Sequence, residues 1–374
     1  MLIKPKAGQP AKIKVVGVGG GGGNALSSMI AEEDINGVEF IAMNTDSQAL
    51  LNHKADIKVQ LGENFTKGLG SGGDPEVGHN AAEESREKIK ENLEGADMIF
   101  IACGEGGGTG TGAAPIVAEV AKETGALTVA VVTKPFSFEG ARRKVAADEG
   151  ISQLKKHVDT LIVIPNDRVM ETLEPKTSML QAFKRIDYIL HQGVKGIAEL
   201  ITTPGLINVD FADVRSIMSN AGTALMGIGI GSGEKRTAIA IKEAISSPLL
   251  ETSIEGARGV LFNIVGGNDL SMTEVNEAAN IISQTVDPDA DIIFGAVIDD
   301  RLMDQVRITV IATKFDESRL RLFRMKNRAQ QEFEVKPSTN DSQPEVKIER
   351  EPVIVHEEMD GEDEFDIPTF LRKK

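Results

Sequence analysis

The stretch 101-IACGEGGGTGTGAAP-115 sets six glycines between an apolar run and a helical one, with two threonines among them and no lysine. Ordering that much glycine is entropically costly, because each glycine gives up an unusually wide range of backbone conformations. The run 98-MIFI-101 reads as a strand, and Pro115 falls in the first turn of the following helix, where its missing N–H is harmless. A glycine loop between strand and helix presents unpaired backbone N–H groups at the positive end of the helix dipole, which makes an anion site. A purely structural glycine turn is the alternative reading.

An earlier run, 17-GVGGGGGNA-25, has the same strand-to-helix setting. Gly17, Gly19 and Gly22 fit the fingerprint G-x-G-x-x-G, and Glu39 lies about where a dinucleotide fold carries its ribose-binding acid. Taken alone, the motif does not choose between a dinucleotide and a nucleoside triphosphate, and a ligand-free turn is the dull alternative. Two such loops in one domain suggest that both approach one long polyphosphate. No G-x-x-x-x-G-K-S/T sequence occurs, so backbone dipoles and a cation must carry the phosphate charge. Thr109 and Thr111 would add hydroxyl donors without bulk.

Around these loops, residues 12 to 166 alternate apolar runs with helical segments. IKVVGV, VEFIAMN, MIFIACG, LTVAVVT and TLIVIPN have the continuous apolar character of strands covered on both faces. With helices over 23–33, 77–93 and 113–125, the fold class is α/β, a doubly wound parallel sheet. A long central helix is predicted over 177–205, capped by Thr177 or Ser178 and stopped by Pro204-Gly205. Its apolar face carries Leu180, Phe183, Ile186, Leu190, Val194, Ile197 and Ile201. Strands in 221–233, 259–267, 291–300 and 306–315, with helices over 235–245 and 272–286, make a smaller C-terminal α+β domain. The organisation is therefore a nucleotide domain at 12–176, the central helix and connection at 177–205, and the α+β domain at 206–316. A disordered acidic linker at 317–365 and a terminal peptide at 366–374 complete it.

A net charge of −16 over 374 residues argues against nucleic acid as a partner, since that would need a basic face. Cys103 is the single cysteine, so no internal disulfide forms and a reducing compartment is expected. No apolar run reaches the roughly 18 residues that span a bilayer, and MLIKPKAGQPAK has no apolar signal core. A soluble cytoplasmic protein without direct membrane insertion is predicted, and no metal-ligating residue is assigned.

GGGTGTG at 106–112 resembles the signature loop of the tubulin and FtsZ superfamily, and its surroundings resemble the bacterial FtsZ branch. The likeness spans residues 12 to 316 and resumes at the C-terminus. It includes 44-NTDSQAL-50, 66-TKGLGSGGDPEVG-78, 133-TKPFSFEGARR-143, 164-IPND-167 and 202-TTPGLINVDFADV-214. It implies a GTPase that binds GTP and GDP, with Mg2+ as the accompanying cation. Gly20, Gly21, Gly22 and Asn24, with Gly107, Gly108, Thr109 and Gly110, match the family's phosphate- and nucleoside-contacting loops. Glu139 and Arg143 match the ribose-side pair, and Asn166 the asparagine that reaches the nucleoside. Phe183 and Asp187 match the base-recognition positions. Four apart, they share a helix face, where a ring can stack on a base. A carboxylate accepts from N1–H and N2–H2 of guanine and repels the acceptor edge of adenine. From the residues alone, Phe183 reads first as a core side chain.

Asp210 and Asp213 are, by spacing alone, ordinary acids of a solvated loop. The resemblance makes them catalytic, entering the nucleotide pocket of the next subunit to polarise the attacking water and help place a cation. Water positioning is much of what phosphoryl transfer asks of a protein. It also implies a head-to-tail homopolymer, built through a contact that does not close on itself, at the division site beneath the membrane. In 366-DIPTFLRKK-374, Ile367, Phe370 and Leu371 fall on one helical face, as in a groove-docking peptide. That segment, Asp366 to Lys374, resembles the family tail that binds FtsA-type and other membrane-tethering division proteins. Cys103 and Glu105 depart from the Ala and Met more usual there. Cys103 is expected to be a small buried residue and Glu105 to point to solvent. Arg185-Ile186 before Asp187 is also less usual. A dinucleotide-dependent oxidoreductase remains as the reading from G-x-G-x-x-G and Glu39, although it leaves GGGTGTG without an account. A relative that does not polymerise productively is the other, against which the two loop acids argue.

Overall fold

Each predicted apolar run becomes a strand. The computed structural model describes residues 10–316, save 33, 34, 36, 175 and 251; the linker and terminal-peptide expectations lie outside the described residues. In chain order the first half comprises β1 (Ile13–Val18), α1 (Gly19–Glu32), β2 (Val38–Asn44), α2 (Ser47–Leu51), β3 (Ile57–Gln60), α3 (Pro75–Glu84), α4 (Arg86–Leu93), β4 (Met98–Gly104), α5 (Thr109–Glu123), β5 (Leu127–Lys134), α6 (Ala141–His157), β6 (Thr160–Pro165) and α7 (Asn166–Glu171). The second half comprises α8 (Met179–Thr202), α9 (Phe211–Met218), β7 (Gly222–Ser232), α10 (Arg236–Ile245), β8 (Gly259–Gly266), α11 (Met272–Thr285), β9 (Asp291–Ile298) and β10 (Gln305–Thr313).

The strands form one sheet in the order β3-β2-β1-β4-β5-β6-β7-β10-β8-β9. Pairing is parallel from β3 through β6 and on to the first residues of β7. β10 is antiparallel to both β7 and β8, and β9 is parallel to β8. β7 therefore belongs to both halves: Gly222–Ala224 continue the parallel sheet, and Leu225–Ser232 pair with β10. Alternate strand residues feed two cores. Val15, Phe100 and Val129 pack with α1 and α8 on one face. Val16, Ile99 and Ile101 pack with α3, α4, α5 and α6 on the other. A third core lies among α10, α11, β8 and β10.

The central helix differs from its amphipathic prediction. Ser178 caps it in a reciprocal box with Gln181, worth about 1 kcal/mol. Every residue from Ile189 to Leu200 is buried, because the sheet of both halves and α1 surround that part. Its polar residues are paired there: Lys195 meets Glu199 at 3.3 Å, and Glu199 accepts from the Asn263 side chain at 3.3 Å. Leu180 and Phe183, read as part of the apolar face, are exposed instead, at 67% and 42%.

Three local differences have plain causes. α1 and α5 start inside the glycine runs, at Gly19 and Thr109, so Pro115, expected in the first turn, lies inside α5. The predicted helix 77–93 breaks at Ser85, whose hydroxyl accepts the Gly62 N–H at 2.8 Å. The sequence pattern predicts none of α2, β3, α6, α7 and α9; β3 is a four-residue edge strand, and α6 is polar over most of its surface.

Candidate active site

β1 and β4 lie side by side, with Val18 opposite Cys103. From this pair the sheet is extended outward through β2 on one side and β5 on the other. Their carboxyl ends form the crevice where doubly wound sheets take ligands, and both glycine runs emerge there. The runs press together through backbone. A Cβ at Gly19 would stand 2.8 Å from the Gly110 nitrogen, one at Gly21 3.2 Å from Gly104 Cα, and one at Gly22 2.2 Å from the Ala102 oxygen. Gly110 and Gly108 are equally confined, a Cβ falling 2.5 Å from the Gly104 oxygen and 2.3 Å from Ser71 Oγ. Gly20 and Gly107 have nothing within 4 Å of a Cβ. The loops thus brace each other and leave those two positions facing open space. Gly108 caps α5 with no side-chain hydrogen bond, so the first-turn N–H groups remain available to an anion.

Thr109 is held by a hydroxyl relay, 2.7 Å from Thr45 and 3.0 Å from Ser71. This joins the end of β2, the 66–74 loop and the second glycine loop. Thr45 and Ser71 were not singled out from the sequence, although both stand inside the segments that carried the resemblance. Thr111 faces the other way and accepts the Gly106 N–H at 2.8 Å. It closes the loop and does not add a donor to the crevice.

The residues expected on the nucleoside side, Glu139, Arg143 and Asn166, stand after the ends of β5 and β6. Glu139 accepts the Phe136 N–H at 3.0 Å and forms an ion pair with Arg143 one turn on. Ser137 N–H donates to Asp167 at 2.9 Å, tying this turn to α7. Asn166 is buried with its Oδ1 unpartnered. An orphaned buried acceptor is costly, and a nucleoside hydroxyl would satisfy it. Phe183 presents its ring at 86° to Phe136, with centroids 5.5 Å apart. At 42% exposure it is a surface side chain and not a core residue. Asp187 follows one turn along α8, and burial pushes its carboxyl up to about 6. Asn24 is exposed on α1.

Asp210 and Asp213 stand elsewhere. Asp210 caps α9, its carboxylate accepting the Asp213 N–H at 2.8 Å, and both side chains are exposed. Arg215 of the same helix reaches the Gly125 carbonyl at 3.3 Å, just before β5 begins. The acids therefore lie at the amino edge of the parallel strands, opposite the glycine loops. The same geometry removes the oxidoreductase reading. Glu39 is near the start of β2, in register with Lys14 and paired with it at 3.1 Å, so it too lies at the edge away from the crevice. Glu105, expected in solvent, is buried at 4% exposure beside Cys103. Cys103 is buried as expected.

Residues 12–174 match the family model described as the GTPase domain of the Tubulin/FtsZ family, and residues 222–316 match the C-terminal domain of the FtsZ family. An FtsZ of M. jannaschii, solved as an empty dimer, is 49% identical with a TM-score of 0.78, over 82% of this chain and 88% of that one. The chain belongs to the tubulin/FtsZ family. A second FtsZ structure from M. jannaschii, of a point mutant, is again 49% identical with a TM-score of 0.78, over 81% and 91%. A CetZ protein of Haloferax volcanii, solved as a GTPγS-bound protofilament, shares the fold at 20% identity and a TM-score of 0.69, over 87% and 100%. The chain is thus a GTPase of the FtsZ type, and guanine nucleotide is its ligand. No helix among the described residues is long and apolar enough to cross a membrane.

Proposed function

We propose that this chain is a self-assembling division GTPase whose active site is completed by head-to-tail contact between subunits. GTP lies with its phosphates against the N–H groups of Gly20, Gly21 and Gly22 and of Gly107, Gly108, Thr109 and Gly110. Asn24, Asn166, Glu139 and Arg143 hold the nucleoside, Phe183 stacks on the base, and Asp187 accepts from the guanine edge. Asp210 and Asp213 of the neighbouring subunit orient the attacking water. Among the described residues no three His, Cys, Asp or Glu side chains converge as a metal cage. Mg2+ would accordingly be held through the phosphates, beside those two acids, where it neutralises phosphate charge. Nucleotide domain 12–176, connection 177–205 and C-terminal domain 206–316 are the parts of this machine.

The position of the acid pair carries the reading. At 24 residues α8 is about 36 Å long, and it separates Phe183 from the loop of Asp210. On the nucleotide side, Glu139 is committed to Arg143 and the Phe136 N–H, and Glu105 is buried. An acid at the far end of the molecule can serve this crevice only from another copy, and repetition of that contact makes a filament. The dimeric FtsZ and the CetZ protofilament support assembly. GTP turnover per protomer should rise steeply above a threshold protein concentration, with sedimenting polymer in GTP and none in GDP. Constant turnover per protomer down to high dilution would refute the shared site. Residues 366–374 serve as the docking peptide for an FtsA-type or other membrane-tethering protein at the division ring. Deleting them should spare GTPase activity and assembly and abolish recruitment to a membrane-anchored partner; unchanged recruitment would exclude the peptide.

A further inference from the structure

Glu105 lies beneath the second glycine loop in a pocket closed by three elements. From β4 the Cys103 thiol donates to its Oε1 at 3.3 Å. From α5 the Thr111 hydroxyl is its other polar neighbour. From α6 comes Gly150, where a Cβ would stand 2.5 Å from Glu105 Oε2 and 2.4 Å from Thr111 Cγ2. Glycine is the residue that lets α6 pass there. The Oε2 atom is buried without a partner, and such a group is costly when charged. Burial pushes the carboxyl up to about 7, against the pull of its polar neighbours Cys103 and Thr111. Thr111 also accepts the Gly106 N–H, so a short chain of contacts runs from the carboxyl to the loop backbone.

We propose that Glu105 is a positioning residue that couples proton binding to polyphosphate binding: neutral, it packs as a spacer under the loop, and ionised, it opposes the nucleotide's charge. It touches no reacting atom and acts through Thr111 and the Gly106 N–H. The proposal rests on the assignment of Gly107–Gly110 to the phosphates. The surrounding charges leave this role to Glu105. Burial pushes the Cys103 thiol up, so it stays neutral. On α6, Arg143, Asp148 and Glu149 are exposed, and Lys134 of β5 pairs with Asp148 at 2.9 Å. α5 carries no charged side chain before Glu119.

The test is guanine nucleotide affinity from about pH 6 to about pH 8 in the full chain and in its Glu105→Gln and Glu105→Met variants. Titration of the nucleotide's own phosphate is common to all three and cancels in the comparison. Wild-type affinity should fall about tenfold further than that of either variant across this range, the linkage of a one-unit shift. Wild type should also take up a proton on binding near neutrality, seen by calorimetry in two buffers, and Glu105→Gln should not. The folded-state value is raised above 4.5 to about 7, so wild-type stability falls as pH rises through that window, and the melting temperature of Glu105→Gln should lack that fall. Parallel pH curves in wild type and Glu105→Gln, or an equal loss at every pH, would overturn the proposal. A wild-type chain that binds no guanine nucleotide at any pH would overturn the loop assignment and the proposal together.

Discussion

Gly22 and Ala102 touch backbone to backbone, and a Cβ at Gly22 would stand 2.2 Å from the Ala102 carbonyl oxygen. This contact clamps the start of α1 onto β4 and holds the two glycine loops together. Gly22→Ala has no flexible neighbour to displace, so it should lower stability by about 1–3 kcal/mol, measured by denaturant unfolding.

Gly20→Ala separates the ligand's need for glycine from the fold's. No atom lies within 4 Å of its Cβ position, and Ala in a helix is favoured over Gly by up to about 1 kcal/mol. Stability should hold or rise, while guanine nucleotide affinity drops about tenfold, or about 1.4 kcal/mol, because the methyl enters the crevice. Unchanged affinity in a fluorescence titration would mean the phosphates lie elsewhere.

Asp187 predicts a lower pH limit for binding. Burial raises its carboxyl to about 6, and the neutral acid cannot accept from both guanine donors. Affinity for GTP should decline as pH falls through about 6 and recover above it. Asp187→Asn should be weak at all pH values and lack that acid limb. A variant retaining the limb would remove Asp187 from base recognition.

Asp210 and Asp213 should part company when each is replaced by Ala. Asp213→Ala leaves the helix cap intact, so folding and GTP binding stay near wild type while hydrolysis collapses. Asp210→Ala also loses the cap and should cost about 1 kcal/mol of stability. Mixing Asp213→Ala with Asp187→Asn should restore turnover, since one copy supplies the pocket and the other the acids. Two inactive variants that stay inactive together would argue against a site shared across subunits.

Thr109→Val would strand the hydroxyls of Thr45 and Ser71, which both point at it. A buried polar group left unpaired costs about 1–3 kcal/mol. Unfolding free energy should fall by that order, and nucleotide affinity should fall with it because the 66–74 loop loses its tie. Thr111→Val should instead loosen the turn at Gly106.

What could be read without the structure was local. The apolar runs of β1, β2, β4, β5 and β6, the strand-to-helix setting of both glycine loops, and the cap of α8 are properties of adjacent residues. Hydrogen-bonding capacity, chain conformation and side-chain periodicity act over a few positions, so they are written in the sequence. β3, a short edge strand, and α6, with its polar surface, carry too little apolar pattern for that.

The sequence by itself determined two glycine loops at the strand ends of a doubly wound sheet, and its resemblance to a family singled out the residues proposed to read a guanine. Tertiary structure alone decided where those residues stand. It buried α8 on all sides from Ile189 to Leu200, put Glu39 at the wrong edge of the sheet for a ribose, and turned Glu105 inward beneath Gly150. It also set Asp210 and Asp213 at the edge opposite the loops they are proposed to serve. The reason is physical: burial, strand order and the separation of two sites follow from packing between distant segments, and spacing along one segment does not encode which other segment will cover it.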